Sequence, residues 1–340
     1  MNRKTLQAAA LLLVGVLILV GLLRSVHPSE VASAISHASP GLVALGMLGS
    51  IGFLVLRGWR WKIILDASAP HARLSDATAV TAMGFAVNSV AAFKVGEILR
   101  FAAIAPRAGI AVGEAAGTVV IERVLDVIAL LVLALAAAAA SGSASAGGGL
   151  WGGVAAISAL FVAIGIAAYV LVSNQDRAMR WWSRWTRRLP SRFQARAESL
   201  VASVLRGFTS LRSIRRLAGI FALSLALWMV AEAGLYAYFR ALTPQLKPAT
   251  LMLALTLFII SQAVSITPGS VGTYEGFFLL VFIPFGVRPA ALVTAVAVIS
   301  HVGGIVAFLA AGALGALWLR LSAGGIPVRF DRSLSSQDGA

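Results

Sequence analysis

Three groups of polar residues stand within a strongly apolar chain, each spaced to bind an ion or a charged headgroup. The first is Lys94, Gly96, Glu97 and Arg100. Spacing of three puts Lys94, Glu97 and Arg100 on one helical face, where Glu97 can pair with either cation. The second is Glu122, Arg123 and Asp126. Glu122 and Asp126 share a face four residues apart, and Arg123 reaches Asp126 at three. The third is the run TPGSVGTYEG, Thr267 to Gly276. Pro268 withholds a backbone donor while Gly269, Gly272 and Gly276 permit tight turns, so a helix breaks there and frees backbone groups for a ligand. Glu275 then falls near the N-terminus of the following helix, where a carboxylate is favoured.

Ionisable side chains at membrane depth cost ~2.5–3.5 kcal/mol each on insertion scales, so each requires a partner or a water-filled surface. For the first group, a polar cavity accepting a charged headgroup stands against an interfacial turn solvated by water. For the second, a substrate site stands beside a structural ion-pair network; for the third, a ligand-binding break stands beside a plain loop. Glu232 lies deep in an apolar segment with no basic neighbour in sequence, either a proton-linked group or the partner of a distant arginine. His301, beside Gly303 and Gly304, reads as a hydrogen-bonded packing residue rather than a proton relay. Asn88 and Gln262 read as polar contacts between helices.

Other chemistries are excluded by what the sequence lacks. There is no cysteine, which removes disulfides, thiolate metal sites and thiol nucleophiles. None of the four lysines, Lys4, Lys62, Lys94 and Lys247, follows a glycine, so a Walker A phosphate loop is absent. His27, His37, His71 and His301 offer no HExxH spacing. The sequence therefore points to no catalytic set, no metal and no cofactor.

The elements that position these groups must cross a bilayer. Hydrophobic residues make up 59% of the chain and charged residues 12%, with a mean hydropathy of +0.90, more apolar surface than one soluble core can hide. The +15 formal charge is gathered at segment ends and in one loop, a pattern that encodes topology and argues against nucleic acid as a partner. Clear spans are Leu6–Leu23, read as a retained first helix, Gly41–Leu56, Thr118–Ala140, Trp151–Val172, Leu217–Phe239, Thr250–Ile266 and Pro289–Leu319. Lys94–Ala105 and Tyr274–Phe285, at a dozen residues each, reach only ~18 Å against a ~30 Å hydrocarbon core.

Charge bias then sets orientation. Arg57, Arg60, Lys62 and Arg73, and the eleven arginines of Ser173–Arg216, belong on the cytoplasmic side. Both links fall inside only if residues 78–105 enter and return as a re-entrant hairpin. Treating residues 250–285 as a second hairpin from the opposite side brings Arg320, Arg329 and Arg332 inside as well. Both termini are then cytoplasmic, the uncharged link Ser141–Leu150 lies outside, and the setting is a plasma (inner) membrane. The expectation is an all-α polytopic membrane protein with about seven full spans, two re-entrant helical hairpins and a possible inverted repeat. Residues 1–140 form the first half, 151–320 the second, 173–216 a basic cytoplasmic loop and 321–340 a disordered tail. Trp181, Trp182 and Trp185 among the arginines of that loop suit anchoring at an anionic leaflet.

Taken together, RGWRW at Arg57–Trp61, N-x5-K-x-GE-x2-R at Asn88–Arg100, ERVLD at Glu122–Asp126 and TPGSVGTYEG give the chain a family resemblance. It resembles the flippase-like transmembrane domain of lysylphosphatidylglycerol synthetases, as a stand-alone member without the aminoacyl-transferase domain. That family's first hairpin reads P-x-R-x-G-E-x-x-R, whereas Ala92 and Lys94 stand here at the proline and the first arginine. Lysine keeps the charge without the bidentate fork.

The resemblance implies lipid translocation or handling and does not carry lipid aminoacylation. Two hairpins would meet at mid-membrane and line a headgroup path, with Lys94 and Arg100 on a phosphate and Glu97 and Glu275 holding those cations or meeting a cationic group. The expected partners are membrane lipids, anionic or lipid-linked. Two other readings remain open. One is an intramembrane transferase with Glu122 or Asp126 as base; the other is a non-catalytic partner that recruits a lipid or glycan synthase through the Arg-rich loop. A homo-oligomer is equally open.

Overall fold

A computed structural model describes residues 28–140, 213–242, 248–264 and 267–322, with parts of 13–21 and 174–202. The expected span Trp151–Val172, the link Ser141–Leu150, most of the expected first helix and Arg-rich loop, and the tail beyond Ser322 lie outside the described residues. Regular structure among the described residues is helical. It runs α1 (Pro28–Ser36), α2 (Pro40–Leu65), α3 (Leu74–Asn88), α4 (Val95–Ala108), α5 (Val112–Ala140), α6 (Gln175–Thr186), α7 (Ile214–Leu242), α8 (Pro248–Ser261), α9 (Thr273–Phe282) and α10 (Ala290–Ser322). Helices α2, α7 and α10 are long and apolar enough to cross a membrane. Helix α5 has 29 residues, with Glu114, Glu122, Arg123 and Asp126 in its first half.

Local chemistry explains the boundaries. Pro40 opens α2 where its fixed φ suits a first turn and its missing N–H costs nothing. The helix then runs to Leu65 rather than stopping near Leu56 as the charges suggested. Arg57 and Arg60 are fully buried and find carboxylate partners inside the protein, so they do not mark its end.

Two short helix pairs sit among these long helices. Helices α3 and α4, of 15 and 14 residues, are about 22 and 21 Å long at ~1.5 Å per residue, shorter than a ~30 Å hydrocarbon core. They meet at a tip where Phe93 and Lys94 adopt left-handed backbone, φ 60° and 52°. Lys94 is therefore the residue before α4 and not, as its spacing suggested, a member of the same helical face as Glu97 and Arg100. Asn88 closes the tip, its Oδ1 accepting the Gly96 N–H at 2.7 Å. The second pair is α8, of 14 residues, and α9, of 10. Between them lie short 3-10 turns at Gln262–Val264 and Pro268–Ser270 and left-handed backbone at Gly269 and Ser270, φ 60° and 57°.

Packing crosses between the two short pairs and the long helices. Helix α5 lies along α8, and α10 lies along α3. Helices α2 and α7 form the central crossing, close enough that a Cβ on Gly49 would stand 2.6 Å from the Gly234 Cα. Small residues are what permit such approach between apolar helices. The two tips also touch: a Cβ on Gly269 would lie 3.0 Å from the Ser89 carbonyl oxygen.

Gly96 gives a direct test of the α3–α4 contact. An added Cβ would collide with the Gly84 carbonyl and stand 2.7 Å from Asn88 Oδ1. Gly96→Ala is expected to destabilise the protein by about 1–3 kcal/mol through overpacking, read as a lowered unfolding midpoint in detergent. Gly219→Ala, inside α7 with nothing within 4 Å, is expected instead to stabilise the protein by about 0.5–1 kcal/mol through helix propensity.

Candidate functional site

A cavity of about 650 Å³ lies between the two tips and the crossing helices. One wall is charged. Helix α2 contributes Arg57 and Arg60, α4 contributes Glu97 and Arg100, and α5 contributes Glu122, Arg123 and Asp126. Asp126 accepts from Arg57 Nη2 and Arg60 Nη1, each at 2.7 Å, and from Trp228 Nε1 at 3.2 Å. Glu122 accepts from Arg60 Nη2 at 3.1 Å and Arg100 Nη2 at 2.6 Å. Glu97 accepts from Arg100 Nη1 at 3.0 Å and Arg123 Nη2 at 2.7 Å. Arg60 also donates to Ser224 on α7 at 2.7 Å, so four helices share one network.

The network explains how charges survive at this depth. Each carboxylate is held by at least two guanidinium contacts, the condition under which buried ions offset their desolvation. Aromatic faces add to it: the Arg100 guanidinium lies 4.3 Å from the Trp61 ring centre, and Arg57 sits over Phe53 and Phe85 at 5.4 and 5.2 Å.

The balance of charge is unequal. Four guanidiniums, of Arg57, Arg60, Arg100 and Arg123, meet three carboxylates, of Glu97, Glu122 and Asp126, leaving one positive charge over. Lys94, which lines the same cavity, raises the surplus to two. Arg57, Lys94, Glu97, Arg123 and Asp126 face the cavity, and the Arg123 side chain is 40% exposed. Arg60, Arg100 and Glu122 stand behind them, fully buried. Four cavity residues carry buried donors without a partner among the described residues: Arg57 at Nη1, Arg123 at Nε, Tyr238 at its hydroxyl and Gln262 at Nε2. A lining with spare donors and spare positive charge suits a ligand rich in acceptors and negative in charge.

The other wall comes from the second tip. Glu275 is the third residue of α9, and its Oε2 accepts the Gly272 N–H at 2.8 Å, capping the helix. Its Oε1 lies 2.7 Å from His301 Nδ1 on α10, while His301 Nε2 lies 2.8 Å from the Gly269 carbonyl. The imidazole stacks on the Tyr274 ring at 4.2 Å, and the Tyr274 hydroxyl lies 3.1 Å from Ser300 Oγ. Pro268 opens the turn that presents Gly269.

The eleven residues singled out by sequence thus divide into two clusters. Lys94, Gly96, Glu97, Arg100, Glu122, Arg123 and Asp126 belong to the charged wall and its tip; Pro268, Gly269, Gly272 and Glu275 belong to the opposite one. Sequence reasoning missed Arg57 and Arg60 as members of the network. Their spacing of three on one helix, matched to carboxylates four apart on another, was the available signal. It also missed Tyr238. Glu232, in α7, is buried and accepts from Thr256 Oγ1 at 2.6 Å, with no basic partner among the described residues.

Comparison with known proteins gives this arrangement a family. A UPF0104 membrane protein of Methanothermobacter thermautotrophicus is 23% identical over 298 residues, covering 84% of this chain and 87% of the relative. A second UPF0104 membrane protein of that organism is 26% identical over 335 residues, covering 92% of each. Glycosyltransferase AglD of Haloferax volcanii is 26% identical over 331 residues, 88% of this chain and 52% of the relative. The model of the lysylphosphatidylglycerol synthase TM region matches residues 7–315, nearly the whole chain, and the protein belongs to that family of integral membrane proteins.

Proposed function

We propose that the cavity receives the anionic headgroup of a membrane lipid and that the protein moves this lipid between leaflets, as a flippase or lipid transporter. The observation that carries the reading is the surplus of positive charge and unpartnered donors on the cavity wall. Phosphate oxygens are acceptors only and carry the complementary sign. Lys94, Arg123 and Arg57 are the cations placed to meet them. Arg100, held by two carboxylates, serves by positioning Glu97 and Glu122. Aromatic and aliphatic residues such as Phe85, Phe258 and Phe308 line the same cavity and suit the acyl region.

The topology that serves this function pairs two halves of opposite orientation, each with three spans and a re-entrant hairpin, six full spans once Thr250–Ile266 is counted within the second hairpin, in a plasma membrane with both termini cytoplasmic. Support comes from the short helix pairs, their left-handed tips and the reciprocal packing of α5 on α8 and α10 on α3. Residues 1–140 and 151–320 are the two halves, with the loop 173–216 at the cytoplasmic leaflet. A second reading, a membrane component of lipid-linked glycan synthesis, is favoured by one observation: the relative named a glycosyltransferase matches this chain over about half its own length. New lipid species formed by the purified protein would support it.

Leaflet exchange of fluorescent phosphatidylglycerol in phosphatidylglycerol–phosphatidylcholine liposomes tests the main reading. Wild type is expected to speed exchange, and Lys94→Gln combined with Arg123→Gln to slow it by about tenfold or more, since each charge-assisted bond is worth about 1.5–3 kcal/mol. Unchanged exchange in the double variant would remove the proposed headgroup site. Topology is read separately by single cysteines, because the native chain has none. Ala111→Cys and Trp181→Cys are expected to react with an impermeant thiol reagent from the same, cytoplasmic, side; opposite sides would overturn the paired hairpins.

A further inference from the structure

The hydrogen bonds around His301 fix the number of protons it shares with Glu275. A carbonyl oxygen only accepts, so the Nε2···O contact to Gly269, 2.8 Å, requires a proton on Nε2. The remaining nitrogen, Nδ1, lies 2.7 Å from a carboxyl oxygen of Glu275, and that contact requires a proton too. Either Nδ1 donates it to a carboxylate or the carboxyl donates it to Nδ1. Both descriptions hold one proton more than an ionised glutamate beside a neutral histidine. The other carboxyl oxygen is occupied as acceptor of the Gly272 N–H.

We infer that Glu275 and His301 form a proton-binding site on the cavity wall, and that release of its one proton loosens the second tip and couples lipid movement to proton movement. The inference rests on the lipid-transport reading above for the cargo, and on the hydrogen-bond geometry alone for the proton. Loss of the proton to cavity water leaves Glu275 as carboxylate and His301 neutral, with two lone pairs facing each other across the broken bond. His301 is then tied to only one of its two partners. The bond lost is the one to Glu275 and the bond kept is the one to Gly269, so the first turn of α9 is freed from α10 while Gly269 stays against the Ser89 carbonyl at the first tip. Proton loss therefore acts within one turn of the point where the two tips touch.

The surroundings suit a site that exchanges protons and does not only pack. His301, Gly269 and Tyr274 all line the cavity, so a path for the proton exists. The titratable or charged groups nearby are Tyr274 on α9, Tyr238 on α7 against the adjoining Gly303, and, lining the same cavity from the first half, Arg57, Lys94, Glu97, Arg123 and Asp126. Among the described residues no cation other than His301 pairs with Glu275. An arriving phosphate would compensate the surplus positive charge of the first wall, and the second wall would respond through its proton.

Glu275→Gln separates the proton from the bonds. The amide oxygen can accept the Gly272 N–H and the amide NH2 can donate to Nδ1, so every contact survives without an ionisable group at position 275. In liposomes of the same composition, a difference of about one pH unit is expected to bias net wild-type lipid movement by up to about tenfold. Glu275→Gln is expected to show no response to that difference. A wild type indifferent to pH, or a variant that keeps the full response, would overturn the coupling. The proton itself is read by 15N NMR of histidine-labelled protein, with His301→Gln used for assignment. The expected result is a single step with pH in which Nδ1 changes and Nε2 stays protonated. No step over the pH range in which the protein stays folded overturns the site. Lipid exchange absent in wild type would instead sink the transport reading, leaving the NMR result to decide the proton site.

Discussion

The buried network of Arg57, Arg60 and Arg100 with Glu122 and Asp126 is the constraint on which the rest depends. Charges at this depth are tolerable only together: removing one partner from a buried pair typically costs about 3–5 kcal/mol, because the survivor is left unpaired. The network joins α2, α4, α5 and α7, and so fixes how the first hairpin sits against the long helices. It also brings Arg123, Glu97 and Lys94 to the cavity. Fully buried ions thus stand behind a partly open layer and support it rigidly.

Glycine sets the second constraint. The α2–α7 crossing at Gly49 and Gly234, the α10–α3 contact at Gly315 against Ala79, and the seat of Gly96 on Gly84 bring backbones together at distances that no Cβ would allow. Apolar helices gain little by leaving lipid for one another, so close van der Waals packing has to hold them. Polar groups then lock the irregular parts. Asn88 closes the first tip on Gly96, and Glu275 caps the second through Gly272. Short broken helices persist because their free backbone groups find these partners inside the protein.

Much of this was legible in the sequence, for physical reasons that also mark where it stopped. Helix breaks between Phe93 and Lys94 and within Ser265–Gly272 were visible because length and charge contradicted an ordinary span. Glu122, Arg123 and Asp126 stood out as ions in apolar text. Arg57 and Arg60 did not, because arginine at the end of an apolar run has the same appearance whether it faces cytoplasm or a partner on another helix. Lys94 was placed on a helix by its spacing, yet a left-handed turn at Phe93 and Lys94 lifts it out. Spacing reports a face only if the backbone is helical throughout. His301 was read as a packing residue; its partner 26 positions away in sequence is invisible to any local pattern.

The two tips carry different chemistry. At the first, the arginines beside Lys94 are fixed charges, positive at any physiological pH. At the second, Glu275 and His301 share a proton and carry no net charge between them while they hold it. A symmetric frame with two identical charged tips would bind an anion strongly from either side and release it slowly. For the lipid transport proposed above, a fixed attraction on one wall and an adjustable contact on the other would make binding and release separate events. Gly269 lies against Ser89, so the two tips are in direct contact and no chain of intermediates separates them.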